Sequence, residues 1–309
     1  MRAIRQERVG GPEVLEEVEV DRPVPIPTEV LVRVHAAGIN PVDWKTRDGN
    51  GIGLQPPFTL GWDVSGVVAE LGFGTSIFAV GDEVLGMPWF PRPANAYAEY
   101  VTAPARHFVR KPARLSHAEA AGLPLAGLTA WQAIVDVADI QPGQRVLVTA
   151  AAGGVGHLAV QIAKARGAYV LGTARAAKHD FLRSLGVDEP IDYTTVDIPA
   201  TVRDVDVVLD LVGGEHSVGL VRTLSQGGLI IPVPGGVSAD VAAAAARHGV
   251  RTSPILVEPD HAGLLALVDL IEADQLKVVV EQTFPLADAG KAHEVGEGGR
   301  VVGKLVLTV

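Results

Sequence analysis

Residues 145–167 read RVLVTAAAGGVGHLAVQIAKARG, and this stretch decides the fold. Residues 145–150 are mostly apolar and β-branched, which predicts a buried strand. A glycine-rich turn over 151–156 follows, and apolar residues then recur at helical spacing as far as Gly167, where the helix should end. Small residues let the backbone approach an anion, and unpaired N–H groups at a helix start point at it. The stretch therefore predicts a site for the diphosphate of a dinucleotide, with a purely structural turn as the alternative.

Composition limits the class of protein. A chain of 309 residues with 48% hydrophobic and 20% charged residues suggests two globular domains. A formal net charge of −10 argues against nucleic acid or an anionic membrane surface as a partner. No apolar run is long enough to span a bilayer, and the N-terminus lacks the apolar core of a signal peptide, so we expect a cytoplasmic protein. The absence of cysteine excludes thiolate zinc sites and a cysteine nucleophile.

The periodicity of the chain changes near residue 117. Short strands and turns before this point predict a compact β-barrel-like domain. Ser116 and Glu119 form a capping box that starts a helix. A second helix is predicted over 128–139. Six strands, among them one over 169–174, then alternate with helices, among them one over 239–248, as far as residue 257, which predicts a doubly wound parallel sheet. The fold class is thus α/β, with a first domain over 1–117 that is completed by 259–309 and a second over 118–258.

Several motifs together suggest a family. Residues 38–49 fit the pattern Gly-x-Asn-x-x-Asp-x-x-x-Arg-x-Gly, and PFTLGWDVSG at 57–66, LPLAGLTA at 123–130 and GKLVL at 303–307 accompany the glycine turn. With these motifs the chain resembles, over essentially its whole length, the zinc-independent quinone oxidoreductase branch of the medium-chain dehydrogenase/reductase superfamily. The resemblance implies a GroES-like substrate domain, a Rossmann cofactor domain and an active site in the cleft between them.

The resemblance also shows departures from the zinc enzymes of the superfamily. Asn40 and Trp62 occupy the positions of a zinc-binding cysteine and histidine, and neither side chain replaces the lost ligand. The lobe of four cysteines that binds structural zinc is missing, so we expect no metal site. We interpret the nine histidines as surface or polar-network residues. Lys45 replaces a tyrosine common in quinone reductases, which leaves the substrate preference open.

The second strand of the Rossmann domain indicates which nicotinamide cofactor binds. NAD-binding domains carry an acid there for the ribose 2′-OH, whereas this chain has Ala174 followed by Arg175 and Lys178. These two cations would attract a 2′-phosphate, which a carboxylate would repel. The alternative is that both are solvated charges at a helix start without a ligand. The resemblance places Tyr193 against the same phosphate. The predicted cofactor is therefore NADPH, and the resemblance implies further cofactor contacts at Thr129, Ala152, Gly153, Gly154, Val155, Gly156, Thr173, Val212, Val233, Gly235 and Lys304.

Without a metal, a hydride from NADPH needs an acceptor that is already polarised, such as a quinone or an α,β-unsaturated carbonyl. The oxygen that gains charge then needs a hydrogen-bond donor. The family motif makes Asn40 and Lys45 the catalytic candidates, with a plain surface lysine as the alternative for Lys45. An enoyl-thioester reductase of polyketide type and a non-catalytic NADPH-binding protein remain alternative functions.

Other side chains carry structural expectations. Asp43 is expected to pair with Arg47, four residues later. Trp62, Trp89 and Phe90 form either an apolar wall for a flat substrate or ordinary core packing.

The sixth strand, 251–257, is expected to lie at a sheet edge, because Pro254 cannot donate to a strand ladder. Relatives commonly pair this edge across a two-fold axis, so we expect a homodimer, with a monomer as the alternative.

Overall fold

Strands and helices are distributed along the chain as follows in the computed structural model, which describes residues 1–309. The strands are β1 Arg2–Gln6, β2 Glu16–Glu19, β3 Glu29–Ile39, β4 Phe58–Thr59, β5 Asp63–Leu71, β6 Glu83–Gly86, β7 Tyr100–Pro104, β8 Phe108–Arg110, β9 Arg145–Val148, β10 Tyr169–Ala174, β11 Glu189–Asp192, β12 Val205–Asp210, β13 Leu224–Pro232, β14 Arg251–Thr252, β15 Val280–Pro285 and β16 Lys304–Thr308. The helices are α1 Pro41–Arg47, α2 His117–Ala121, α3 Pro124–Trp131, α4 Gly156–Ala165, α5 His179–Ser184, α6 Ile198–Thr201, α7 Glu215–Leu220, α8 Ala239–His248, α9 His261–Glu272 and α10 Ala289–Glu297. None of these helices has the length and apolar character needed to cross a membrane.

The chain divides into two units. The first unit comprises Met1–Leu128, Glu258–Glu272 and Val278–Val309, and the second comprises Thr129–Val257 and Ala273–Lys277. Residues 118–128, which the sequence assigned to the second domain, thus belong to the first unit. One reason is that the backbone N–H of Leu125 donates to the buried carboxylate of Asp63, on β5, at 2.7 Å.

The first unit is built around β3, the longest strand. Its sheet has the order β15-β16-β3-β5-β6-β8, with β7 also paired to β3, and a smaller sheet has the order β2-β1-β4. Antiparallel pairing of Leu305 with Ile39 joins the end of the chain to β3. The predicted capping box is confirmed, since Ser116 Oγ accepts the Glu119 N–H at 3.2 Å and Glu119 Oε2 accepts the Ser116 N–H at 2.9 Å.

The second unit contains the predicted doubly wound sheet. Its six strands are all parallel and follow the order β11-β10-β9-β12-β13-β14. Strand order therefore reverses at β9 and β12, and ligands bind at the carboxyl ends of strands at such a point. Adjacent strands supply the fully buried core residues Leu147, Leu171, Val208 and Ile230.

Two elements differ from the sequence prediction. The edge strand β14 covers only Arg251–Thr252, because Pro254 has no N–H and the ladder ends when Ser253 N–H bonds the Ile230 carbonyl at 3.1 Å. The helix predicted over 128–139 is α3 followed by a wider π-helical turn over Gln132–Val137. There the Ala138 N–H bonds the Ala133 carbonyl, five residues back.

Candidate functional site

The glycine-rich turn of the second unit presents free backbone donors. It leads from β9 into α4, and the N–H groups of Gly154, Val155 and Gly156 have no acceptor within the protein. Such groups at a helix start carry partial positive charge and receive anions. The turn therefore presents donors of the kind that the predicted diphosphate site needs.

Gly156 is required by packing. A Cβ there would lie 2.4 Å from the Ala150 carbonyl oxygen and 2.7 Å from the Ala151 Cα, and neither backbone atom can move aside. Thr173, on β10, holds the same turn, since its Oγ1 accepts the Ala150 N–H at 3.2 Å and its carbonyl accepts the Ala151 N–H at 3.0 Å. Ala152 is buried in the turn. These contacts keep the turn close to the strand ends.

The end of β10 gathers the residues predicted to select the cofactor. Arg175 is exposed, and its Nε donates to the Tyr193 hydroxyl at 3.1 Å. Lys178 lies in the short turn that follows, Ala176–Lys178, and is partly exposed. The Arg175 guanidinium and the Tyr193 phenol are thus hydrogen-bonded to each other next to the turn Ala176–Lys178.

Asp192 is an acid that the sequence analysis overlooked at this place. Its Oδ2 accepts the Ala176 N–H at 3.2 Å, and its Oδ1 accepts hydrogen bonds from the Thr194 hydroxyl and N–H. These bonds, led by that of the Thr194 hydroxyl, lower the pKa of Asp192. The carboxylate therefore already hydrogen-bonds the start of the turn at Ala176 and the turn at Thr194. Its place at the end of the third parallel strand was the signal available in the sequence.

The carboxyl ends of β12 and β13 lie at the same edge of the sheet as the glycine turn. Val212 follows β12 and is 53% exposed, while Val233 and Gly235 follow β13. Asp210, a second residue that the sequence analysis missed, is fully buried and accepts the Thr149 hydroxyl at 2.8 Å. It ties the end of β12 to the end of β9. Thr129, another predicted cofactor contact, is buried in α3.

In the first unit, four polar side chains that are each at most 2% exposed form what we call the Asn40 cluster: Asn40, Asp43, Asp63 and Lys304. Asn40 follows β3 and precedes Pro41, the first residue of α1, and its backbone N–H donates to Asp43 Oδ2 at 2.7 Å. Its side-chain Nδ2 donates to Asp63 Oδ2 at 2.8 Å. Lys304 Nζ donates to Asn40 Oδ1 and to the Ile39 carbonyl, and lies 3.7 Å from Asp63 Oδ2.

Burial shifts the titration of this cluster. It raises the pKa of Asp43 to about 7, a shift that the nearby Asp63 reinforces and the Asn40 N–H opposes. Burial lowers the pKa of Lys304 and raises that of Asp63, and each charge opposes the shift of the other. The cluster therefore holds a proton on Asp43 that dissociates near neutral pH.

The predicted Asp43–Arg47 ion pair is wrong. Arg47, which is buried, instead bonds Glu297 Oε1 at 2.7 Å and the Gly10 carbonyl at 3.1 Å. Asp43 turns back to accept the backbone N–H groups of Asn40 and Gly61. Four-residue spacing puts both side chains on one helix face, but α10 supplies a closer partner for the guanidinium than α1 does.

A buried chain of hydrogen bonds extends from Arg47 to Asp43. Arg47 Nη1 lies 3.2 Å from His293 Nδ1, the other ring nitrogen lies 3.2 Å from the Tyr97 hydroxyl, and Tyr97 bonds Asp43. Burial, with the Arg47 charge, lowers the pKa of His293 to about 3, so its ring is neutral. A guanidinium can only donate, so His293 Nδ1 accepts from Arg47. In the neutral ring His293 Nε2 then carries the hydrogen and donates to the Tyr97 hydroxyl, which in turn donates to Asp43.

The remaining predicted residues of this unit lie apart from the cluster. Lys45 is exposed in the last turn of α1. Trp62 is buried, donates from Nε1 to the Arg92 carbonyl at 2.7 Å, and meets the Phe90 ring edge-on at 5.5 Å. Trp89 lines a cavity of about 370 Å³ within this unit. Trp62 and Phe90 are therefore core packing, and nowhere do three or more potential metal-ligating side chains gather.

Comparison with known proteins agrees with this architecture. Residues 26–113 match the alcohol dehydrogenase GroES-like domain, and residues 185–307 match the zinc-binding dehydrogenase family. A chloroplast envelope quinone oxidoreductase homolog of Arabidopsis thaliana is 34% identical over 313 residues, which cover 96% of this chain and 95% of that protein.

Two solved structures resemble the whole chain. The quinone oxidoreductase from Coxiella burnetii has a TM-score of 0.94 and 39% identity, covering 100% of this chain and 99% of that one. The Escherichia coli quinone oxidoreductase complexed with NADPH has a TM-score of 0.90 and 29% identity, covering all of both chains.

Proposed function

This chain belongs to the zinc-independent quinone oxidoreductase branch of the medium-chain dehydrogenase/reductase superfamily, and we propose that it reduces quinones or α,β-unsaturated carbonyls with NADPH and without zinc. Membership makes it an oxidoreductase with a nicotinamide cofactor and a small-molecule substrate. The observation that carries the finer proposal is the glycine turn with its three free N–H groups, accompanied by Arg175 beside Tyr193.

The residues present fit NADPH. The backbone of Gly154, Val155 and Gly156 would hold the diphosphate, and the Arg175 guanidinium, with Lys178, would hold the 2′-phosphate. Val212, Val233 and Gly235 are the candidates that position the nicotinamide, because they follow strands at the same edge. Bound NADPH would supply a hydride.

The substrate oxygen that gains charge needs a donor from the protein. Asn40 has one: only one of its two Nδ2 hydrogens has an acceptor within the protein, Asp63. Lys45 is the second candidate, since it is an exposed cation five residues after Asn40 in the same motif. We place the first role with Asn40, whose amide is fixed in position, whereas an exposed lysine side chain is mobile.

The test is NADPH oxidation with a panel of benzoquinones, naphthoquinones, small enones and one enoyl thioester, with NADH in parallel. We expect turnover with quinones or enones, and faster turnover with NADPH than with NADH. Turnover of the enoyl thioester alone would identify the polyketide-type alternative. Tight NADPH binding without turnover of any acceptor would identify a non-catalytic protein and contradict the proposal.

Zinc independence has its own measurement. The purified protein should contain no stoichiometric zinc, and prolonged treatment with a chelator should leave the rate of NADPH oxidation unchanged. The reason is that the two side chains at the metal-ligand positions already have hydrogen-bond partners. Asn40 bonds Asp63 and Lys304, and Trp62 bonds the Arg92 carbonyl. About one zinc per chain, lost together with activity, would overturn this part.

A further inference from the structure

The Asn40 carboxamide is held by two buried charges of opposite sign. Its Nδ2 donates to Asp63 Oδ2 at 2.8 Å, while its Oδ1 accepts from Lys304 Nζ. Asp63 is anchored by the Leu125 N–H, which donates to its other oxygen at 2.7 Å. Lys304 is anchored by the Ile39 carbonyl at 2.8 Å. Neither charged group can turn away from the amide without losing its own anchor.

These two partners allow only one orientation of the amide. A carboxamide has nearly the same shape after a half-turn that exchanges its oxygen and nitrogen, so shape alone does not fix it. An ammonium can only donate and an ionised carboxylate can only accept. A half-turn would therefore place the amide NH₂ against Lys304 and the amide oxygen against Asp63, and both hydrogen bonds would be lost.

Two of the three donors of Lys304 are already used within the protein. Of its three N–H groups, two bond Asn40 Oδ1 and the Ile39 carbonyl, and the third has the Asp63 carboxylate at 3.7 Å. The contact with cofactor that the family resemblance implied for Lys304 would have to compete with these bonds and with the nearby Asp63 charge.

We propose that Lys304 and Asp63 are positioning residues that fix the orientation of the Asn40 carboxamide, so that one Nδ2 hydrogen stays available to the substrate oxygen. The inference rests on the proposed function for its catalytic consequence, but the orientation itself does not depend on it. Lys304 acts through Asn40 and does not bind the cofactor.

The variants must distinguish a change in the orientation of the Asn40 amide from a loss of folding stability. Lys304→Met alone leaves the Asp63 charge buried without its partner, which is strongly destabilising. Lys304→Met combined with Asp63→Asn removes both charges and restores neutrality, yet it supplies neither an obligate donor nor an obligate acceptor to Asn40. Lys291→Met is the matched control, because Lys291 lies on the surface of the same unit and pairs with Asp288.

Orientation can be observed without substrate or cofactor. The chain has only three asparagines, Asn40, Asn50 and Asn95, and the last two are exposed. Protein labelled with ¹⁵N in asparagine alone should therefore give three side-chain NH₂ signals, one of which exchanges slowly with water. The double variant carries a fourth asparagine because of Asp63→Asn and should give a fourth signal, so the Asn40 signal is assigned separately in each protein. We expect the double variant to shift, split or broaden the Asn40 signal, and Lys291→Met to leave it in place. An Asn40 signal that the double variant leaves unchanged would overturn the proposed positioning.

Kinetics test the catalytic consequence. The double variant should lose roughly 100-fold in kcat, as expected when one oxyanion donor is lost, while its Kd for NADPH stays within about twofold of the wild type. A tenfold or larger rise in that Kd with kcat unchanged would show instead that Lys304 contacts the cofactor. If the wild-type protein turns over no acceptor, the proposed function fails, and the NMR measurement still decides the orientation.

Discussion

At the scale of single residues, Arg175 and Lys178 after β10 are predicted to select NADPH over NADH. Changing Arg175→Ala together with Lys178→Ala should weaken NADPH binding by tens-fold or more and leave NADH binding nearly unchanged. Each charge-assisted hydrogen bond to a 2′-phosphate contributes roughly 1.5–3 kcal/mol, and NADH has no such phosphate. Titration of both cofactors by fluorescence measures the difference.

Arg183→Ala is the control for this pair, because Arg183 is an exposed cation on α5 that pairs with Asp180. It should change neither affinity. Equal weakening of NADPH and NADH by the double variant would mean that the 2′-phosphate lies elsewhere.

A second residue-scale prediction concerns Asp43 and pH. Burial raises its pKa to about 7 in the folded protein, so the folded state holds a proton that the unfolded chain releases near pH 4. This contribution to stability is fully present below about pH 4 and is lost as pH rises to about 7. Asp43→Asn removes this titration. The free energy of unfolding of the variant, minus that of the wild type, should therefore rise by about 2–3 kcal/mol from pH 5 to pH 8.

Urea unfolding followed by tryptophan fluorescence suits this measurement, since Trp44, Trp62 and Trp89 lie in the first unit. His293, whose lowered pKa favours stability above pH 6.5, is common to both proteins and cancels in the comparison. Asp269→Asn, at an exposed position of the same unit, should show no such gain. A parallel pH dependence of wild type and Asp43→Asn would contradict the assignment.

At the scale of secondary-structure elements, the contact of α4 with the end of β9 fixes the glycine turn that is the predicted diphosphate site. Gly156→Ala would bring a Cβ within 2.4 Å of the Ala150 carbonyl oxygen, so the helix start must move away. The displaced turn should lose at least one hydrogen bond to the diphosphate, worth about 1 kcal/mol, which corresponds to about a fivefold loss of affinity. Gly156→Ala should weaken the binding of NADPH and of NADH alike, whereas the double change at Arg175 and Lys178 should weaken that of NADPH only.

Calorimetric titration of both cofactors with Gly156→Ala provides the measurement. Gly53→Ala is its control, because a Cβ there meets open space. Wild-type affinity in Gly156→Ala would show that the turn tolerates the displacement.

The elements that the sequence predicted well are those specified by local pattern. Strand β10 and helix α8 have the predicted bounds, 169–174 and 239–248, because a buried run and an alanine-rich helix need no distant partner to be recognised. The edge strand β14 is shorter than its β-branched residues suggested, because Pro254 interrupts the ladder.

The contacts that sequence could not predict join residues far apart in the chain. Arg47 with Glu297, Tyr97 with His293, and Asn40 with Lys304 are separated by 250, 196 and 264 positions. No spacing rule extends across such distances, whereas the i, i+4 rule suggested Asp43 for Arg47 and was wrong. The motif made Asn40 a candidate, but only the fold shows that the side chains of Asp63 and Lys304 hydrogen-bond its amide.

At the scale of the whole molecule, the free edge of the Rossmann sheet remains a predicted dimer contact. Strand β14 ends the sheet, and Leu256, just beyond it, is 64% exposed. An edge that pairs with its own copy across a two-fold axis produces a homodimer. Light scattering during size exclusion should therefore give twice the chain mass of 32.3 kDa.

Ile255→Lys, next to this edge, should shift the protein towards monomer, whereas Val24→Lys, at an exposed site on the first unit, should not. A wild-type protein that elutes as a monomer at micromolar concentration would refute the dimer without affecting the cofactor prediction.

The first unit takes its strands from two separate stretches of the chain, and this arrangement dictates an order of assembly during synthesis. Strand β3 leaves the ribosome early, but β16, which pairs with it, follows only after the whole of Thr129–Val257. The nascent chain can therefore complete its Rossmann unit while β3 still has an open edge and Asn40 and Asp63 still lack Lys304. Open strand edges invite pairing with other chains, so a chaperone that covers β3 would be most useful in this interval.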